Sequence, residues 1–270
     1  MENEKMKFIR GEFKVTRKIY LTEHYIRVYL TGEQVPLIQH TTIGINNKIA
    51  IPPKGVDKVY FPEFDMEKGE WTPLPEELRP TIRTYTHRGI DIDSNEIWID
   101  FVAHGDEGPA SAWAIAAQAG DVLGVMMKND KLELYTPADN YLLVGDATAI
   151  PVLGAILEDL PATASGTCII EVHAAADEQV LYSKAAIKFI WLHNPQPEKG
   201  SELARQVRAI ALPTENRFAY VAAEFSSVKE IRNYLRKELD WQREELYAYS
   251  YWKSGVAEDK SVKARQNEKE

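Results

Sequence analysis

The sequence predicts two domains in tandem: an antiparallel β-barrel over residues 1–136, then an α/β domain with a parallel sheet over residues 137–255, with a charged tail at 256–270. Three observations carry this. The 270 residues exceed a usual single domain, and 44% hydrophobic with 27% charged residues supplies apolar material for two cores. From Phe8 to about Leu134 the apolar residues alternate over short runs broken by Gly, Pro and Asn-Asn, as half-buried antiparallel strands require. After Pro137 the rhythm changes to buried strands alternating with helical stretches.

In the first part, residues 13–19 and 26–30 read as alternating strands, and 97–102 as a half-buried one. Residues 52–75, rich in Pro and charge, suit a long surface loop that borders a ligand site. A short Ala-rich helix spans 109–119, with Pro109 in its first turn and Gly120 just past its end. In the second part, strands at 141–145, 167–172, 188–192, 218–223 and 246–252 alternate with helices at 149–160 and 226–239. Ser226 or Ser227 caps the latter, with Glu230 inside its first turn. The run at 257–270 lacks large apolar residues other than Val262 and is expected to be frayed or disordered.

Lys and Arg number 32 against 41 Asp and Glu, a net charge of −9, so neither nucleic acid nor an anionic membrane is an expected partner. Any anionic ligand must find a local basic pocket. The first ten residues are charged and hold no apolar targeting core, and no stretch is long and apolar enough to span a bilayer, which predicts the cytoplasm. The six histidines are scattered singly, and no protein-built metal site is expected. Cys168 is the only cysteine, which excludes an internal disulfide and a cysteine-ligated iron–sulfur cluster.

Three patterns carry chemistry. On a strand from Arg83 to Arg88, the side chains of Arg83, Tyr85 and His87 point one way and those of Thr84, Thr86 and Arg88 the other. Two guanidinium groups there stand beside a stackable phenol and a hydroxyl, a set that suits a flavin diphosphate and its ring. Taken alone, the pattern equally fits a surface strand with snorkelling arginines. The run from His104 to Trp113 contains Gly108-Pro109-Ala110-Ser111, a helix start whose N–H groups and dipole favour an anion. A plain helix start reads the same way, with Trp113 in the core. Gly145-Asp146-Ala147-Thr148-Ala149-Ile150-Pro151 turns the first buried strand tightly into a helix at the carboxyl edge, where α/β sheets bind ligands. In that order, the three patterns read as a flavin site followed by an electron-donor domain.

With these patterns and the closing Tyr249-Ser250-Tyr251-Trp252-Lys253-Ser254-Gly255, the chain resembles the siderophore-interacting protein family, a branch of the ferredoxin-reductase-like flavoproteins. The likeness runs from about Lys7 to Gly255. It implies an FAD-binding barrel, an NAD(P)H-binding-like α/β domain, and cytoplasmic reduction of ferric siderophores that releases the weaker-held ferrous iron. The family pattern falls on Arg83, Tyr85, Thr86 and Arg88, on His104, Gly105, Gly108, Pro109, Ala110, Ser111 and Trp113, and on Gly145, Asp146, Thr148, Ala149 and Pro151. Among these, the residues expected to bind cofactor are Arg83, Tyr85, Thr86, Arg88, His104, Gly108, Pro109, Ala110, Ser111, Gly145, Asp146 and Thr148. FAD would carry the electrons, so no acid–base residue is required at the iron.

The donor stays open between NADH, NADPH and a ferredoxin. After the second α/β strand, Asp177 and Glu178 disfavour a 2′-phosphate, and where NADPH-using relatives carry an Arg after Trp-Leu-His, this chain has Asn194. Lys48, Lys54, Lys58, Lys128, Lys131 and Lys253 are candidates to receive a ferric chelate, with Lys54, Lys58 and Lys128 foremost. Two rival readings remain: a flavin reductase serving a protein acceptor, and a non-catalytic flavin- or chelate-binding protein.

Overall fold

Alternation of apolar and polar residues builds nine strands in the N-terminal part of the computed structural model, which describes residues 8–66, 68–106 and 108–256. They are β1 (Phe8–Thr22), β2 (Tyr25–Thr31), β3 (Asn46–Ile51), β4 (Phe64–Asp65), β5 (Glu70–Trp71), β6 (Thr81–Thr86), β7 (Gly89–Asp91), β8 (Glu96–Val102) and β9 (Val122–Lys128). The helix α1 (Pro109–Ala116) lies between the last two and ends three residues before the expected 119, where Ala117 turns extended. Seven strands form one antiparallel sheet in the order β6-β3-β9-β1-β2-β8-β7. The outermost strands, β6 and β7, are joined by only His87 and Arg88. That link reaches about 11 Å at full stretch, so the two edges meet and the sheet curls into a barrel. His87 N–H donates to the Ile45 carbonyl at 2.9 Å and Arg88 N–H to the Trp98 carbonyl at 3.2 Å, tying the link to the residue before β3 and to β8, the strands next to the two edges. Ile26, Val28, Leu30, Ile49, Ile97, Ile99, Phe101 and Leu123 fill the interior. In the segment expected to be a long loop, β4 and β5 form a two-stranded ribbon of their own.

The C-terminal part forms five parallel strands, β10 (Asn140–Asp146), β11 (Ser165–Val172), β12 (Ala186–His193), β13 (Arg217–Glu224) and β14 (Leu246–Trp252). Their order is β12-β11-β10-β13-β14. The helices are α2 (Ile150–Asp159), α3 (Leu203–Ala209) and α4 (Phe225–Asn233). One face of the sheet carries Leu142, Val144 and Val221 against Leu203 and Val207 of α3 and Val228 and Ile231 of α4. The other face packs on α2: a Cβ at Gly145 would lie 2.5 Å from Ala149 Cβ and 3.0 Å from Leu153 Cδ1. Helices on both faces explain why these strands read as continuous apolar runs. The expected helix at 226–239 is cut in two, α4 continuing as one π-turn at Tyr234–Glu238. Its cap is Glu224, whose side chain accepts from Ser226 N–H, rather than a serine.

The described residues divide into two compact units between Leu132 and Glu133. The expected tail falls outside the described residues from 257 onward, while Val256 bridges to Lys253.

Candidate functional site

In the N-terminal unit, aromatic packing brings the first two patterns together. The Tyr85 ring on β6 lies 4.5 Å from Phe101 on β8, and Phe101 lies 5.6 Å from Trp113 on α1. This ladder fixes the Arg83–Arg88 strand against the helix start, although some twenty residues separate them in sequence. Strand alternation operates as expected: Thr84, on the face opposite Tyr85, receives a hydrogen bond from Lys48 Nζ. Arg83 is half-buried and donates through Nη1 to the Ile82 carbonyl at 2.7 Å, which restrains its guanidinium.

Among the described residues no side chain caps α1 at Gly108, and Pro109 occupies its first turn. The uncapped N–H groups leave a positively polarised end, as a phosphate requires. A Cβ at Gly108 would lie 2.6 Å from His104 Cε1, so only glycine lets the imidazole fold over the helix start. The Ser111 hydroxyl is engaged within the loop. It accepts from His104 N–H at 3.0 Å and donates to the Gly105 carbonyl at 2.7 Å, closing the loop that presents Gly108. Ser111→Ala is expected to cost about 1 kcal/mol of stability and to weaken FAD binding less than tenfold, as thermal melting and flavin titration would report. The uncapped helix end, the restrained guanidinium and the aromatic face fit the diphosphate and ring of FAD.

In the C-terminal unit, the sheet order reverses between β10 and β13, the position where α/β sheets take ligands. Asp146 is buried there with all its bonds internal. Oδ1 accepts from Thr148 N–H at 2.9 Å and Thr148 Oγ1 at 2.5 Å, and Oδ2 from Glu224 N–H at 3.0 Å and Trp252 Nε1 at 2.7 Å. Burial pushes its carboxyl above the usual range. Asp146 and Thr148 therefore shape the turn by satisfying each other, and Gly145 allows α2 to close on the strand.

The three foremost lysines lie on two segments of the N-terminal unit. Lys54 and Lys58 are exposed in the segment after β3, Lys58 lying 5.5 Å from the Tyr60 ring. Neighbouring Val59 packs beside Gly124, whereas Lys128 ends β9 four residues further on, about 13 Å at strand spacing.

Several contacts and buried positions escaped the sequence reading. Phe101 supports Tyr85, and His87 and Asn47 are buried with no hydrogen-bond partner for either ring nitrogen or either amide atom among the described residues. In the C-terminal unit, His193 Nε2 lies 2.8 Å from Glu178 Oε1. The Tyr85–Phe101 and Glu178–His193 contacts and the burial of His87 and Asn47 depend on tertiary packing, which short-range spacing does not reveal. Among the described residues no group of three or more His, Cys, Asp or Glu is placed to hold a metal, and no helix is long and apolar enough to cross a membrane.

Comparison with known proteins gives consistent matches. Residues 14–129 match the family model described as the siderophore-interacting FAD-binding domain, and residues 138–255 the model described as siderophore-interacting protein. Ferric vibriobactin reductase ViuB of Vibrio cholerae is 32% identical over 96% of this chain and 95% of its own length. The siderophore-interacting protein SipS from Aeromonas hydrophila superposes with a TM-score of 0.81 at 28% identity, covering 96% of this chain and 97% of SipS. A ferredoxin NADP+ reductase from Neisseria gonorrhoeae with bound FAD and NADP, 14% identical, shares the fold at a TM-score of 0.57 over 91% of this chain and 99% of its own.

Proposed function

The chain belongs to the siderophore-interacting protein family, and from that premise we infer that it is a cytoplasmic flavoprotein reductase of ferric siderophores. The observation that supports the reading is the Tyr85–Phe101–Trp113 ladder, which packs the strand bearing Arg83 beside the helix that begins at Pro109. FAD, when bound, supplies two-electron uptake and one-electron release. Arg83 and Arg88 offset the diphosphate charge, and Tyr85, backed by Phe101, offers the flat face for the isoalloxazine. Thr86, on the opposite side of the strand from Tyr85, is the hydroxyl expected near the ring nitrogen. The start of α1, shaped by His104, Gly108, Pro109, Ala110 and Ser111, meets the phosphates. Reduction at the ferric centre transfers no proton, so the chain has to position the chelate and offset its negative charge.

Electrons enter from a nicotinamide dinucleotide, NADH or NADPH, at the carboxyl edge of the C-terminal unit, where Gly145, Asp146 and Thr148 form the turn. A reduced ferredoxin is the alternative donor, motivated by the absence of a free side-chain donor at Asp146 and Thr148.

The test separates the acceptor from the donor. Protein reduced anaerobically with dithionite is offered anionic and neutral ferric chelates, and the return of oxidised flavin absorbance is followed. Because the net charge is −9, anionic chelates should be favoured only through local lysines, and only at low salt. Screening shortens from about 30 Å at 0.01 M to about 10 Å at 0.1 M, so the preference should fade over that range. Lys54→Glu, Lys58→Glu and Lys128→Glu, made separately, should each narrow it if the residue receives the chelate. Reoxidation no faster than in a free-flavin control would overturn the reductase reading in favour of a binding protein. Reoxidation only by a protein acceptor would favour the partner reductase.

A further inference from the structure

We propose that Glu178, positioned by His193, reads the adenosine ribose of the donor and selects NADH over NADPH. The proposal rests on the reading that the C-terminal unit takes a nicotinamide dinucleotide. From the reversal point, β10, β11 and β12 step outward in order, and each is parallel to the last. A dinucleotide laid over such an edge sets its diphosphate at the first turn and its adenosine ribose beyond the next strand, where a carboxylate accepts from the ribose hydroxyls.

Three acids follow or end β11, and the structure distinguishes them. Glu171 is buried and accepts from Asn194 Nδ2, Ser201 Oγ and Glu202 N–H, each at 3.0 Å, so it anchors the start of α3. Asp177 is buried and accepts from Ala174 N–H at 3.1 Å. Glu178 alone of the three keeps its carboxylate at the surface, 39% exposed, with Oε1 on His193 Nε2 at 2.8 Å. His193 ends β12 opposite Val172 of β11, so the pair bridges the two strand ends.

The surrounding charge acts in the same sense. Asp146 ends β10, Glu224 ends β13 and Glu171 stands one residue before the end of β11, all facing the same edge. The cations that follow β12 are engaged, Lys199 with Gln196 and Arg205 with Glu202. A 2′-phosphate would bring nearly two further negative charges beside Glu178, whereas a ribose hydroxyl donates to it.

Calorimetric titration of the oxidised, FAD-loaded protein with ADP-ribose and with 2′-phospho-ADP-ribose at low salt tests this. ADP-ribose should bind at least tenfold tighter. Glu178→Gln should narrow the ratio and Glu178→Lys invert it, with thermal midpoints unchanged because the pair is at the surface. His193→Ala should narrow the ratio less than Glu178→Gln. Equal or tighter binding of the phosphorylated compound, no binding of either, or a ratio unmoved in both Glu178 variants would each overturn the proposal. Reoxidation of dithionite-reduced flavin by ferric chelates uses no nucleotide, so it reports on the reductase reading separately.

Discussion

Arg83→Ala is expected to weaken FAD binding by one to two decades. A charge-assisted hydrogen bond to a phosphate contributes about 1.5–3 kcal/mol, and each 1.4 kcal/mol is a factor of ten. The guanidinium is already restrained by the Ile82 carbonyl, so little ordering remains to be lost on binding, and removing it forfeits most of the contact. Flavin titration into apoprotein measures the change directly. Arg79→Ala is the control, because Arg79 donates to the Leu74 carbonyl in the exposed segment before β6 and should leave affinity within a factor of two. Equal affinities of the Arg83 variant and wild type would remove Arg83 from the site.

His87→Leu is expected to abolish an acid-sensitive part of the folding stability. His87 is 0% exposed, and neither ring nitrogen has a partner among the described residues. Burial pushes its pKa down from 6.5 to about 4. As the pH falls, the unfolded chain therefore takes up the proton first. The stability that depends on a neutral ring is complete above about pH 6.5 and is lost as the pH falls through about 4. Integrated over that window the loss is about 3 kcal/mol. Urea denaturation of wild type and variant at saturating FAD, repeated from pH 7.5 to 4, isolates the contribution as a difference. The variant should be as stable as wild type or more so at pH 7.5, since leucine leaves no buried nitrogen unsatisfied, and the gap should widen in acid. A difference that stays constant with pH would show that the ring is solvated or paired in solution.

The two residues that join β6 to β7 show how chemistry and topology meet. Arg83 and Tyr85 were recognisable because strand alternation is local: a period of two places them on one face whatever the strand packs against. Nothing local marked His87 as buried, since a histidine between a threonine and an arginine reads as a surface residue. It is interior because the link closes the sheet, and closure depends on which strands pair. Ser226 illustrates the same limit in the other unit. It has the residue type of a cap, yet Glu224 at the end of β13 reaches its N–H first.

Alternation of apolar residues every second position, their shift to continuous runs after Pro137, and the glycines and prolines at the turns determined the fold class, most strand positions and the three motifs from sequence alone. These depend on interactions within a few residues along the chain, which the chain's own chemistry specifies. Tertiary structure alone decided that Phe101 backs Tyr85, that Asp146 spends its carboxylate on Thr148, Glu224 and Trp252, and that Glu178 meets His193. Each of these contacts joins residues 15 to 106 positions apart, except the link to Thr148. Their partners are chosen by strand order and register, which the buried surface of the whole unit selects and no short window of sequence contains.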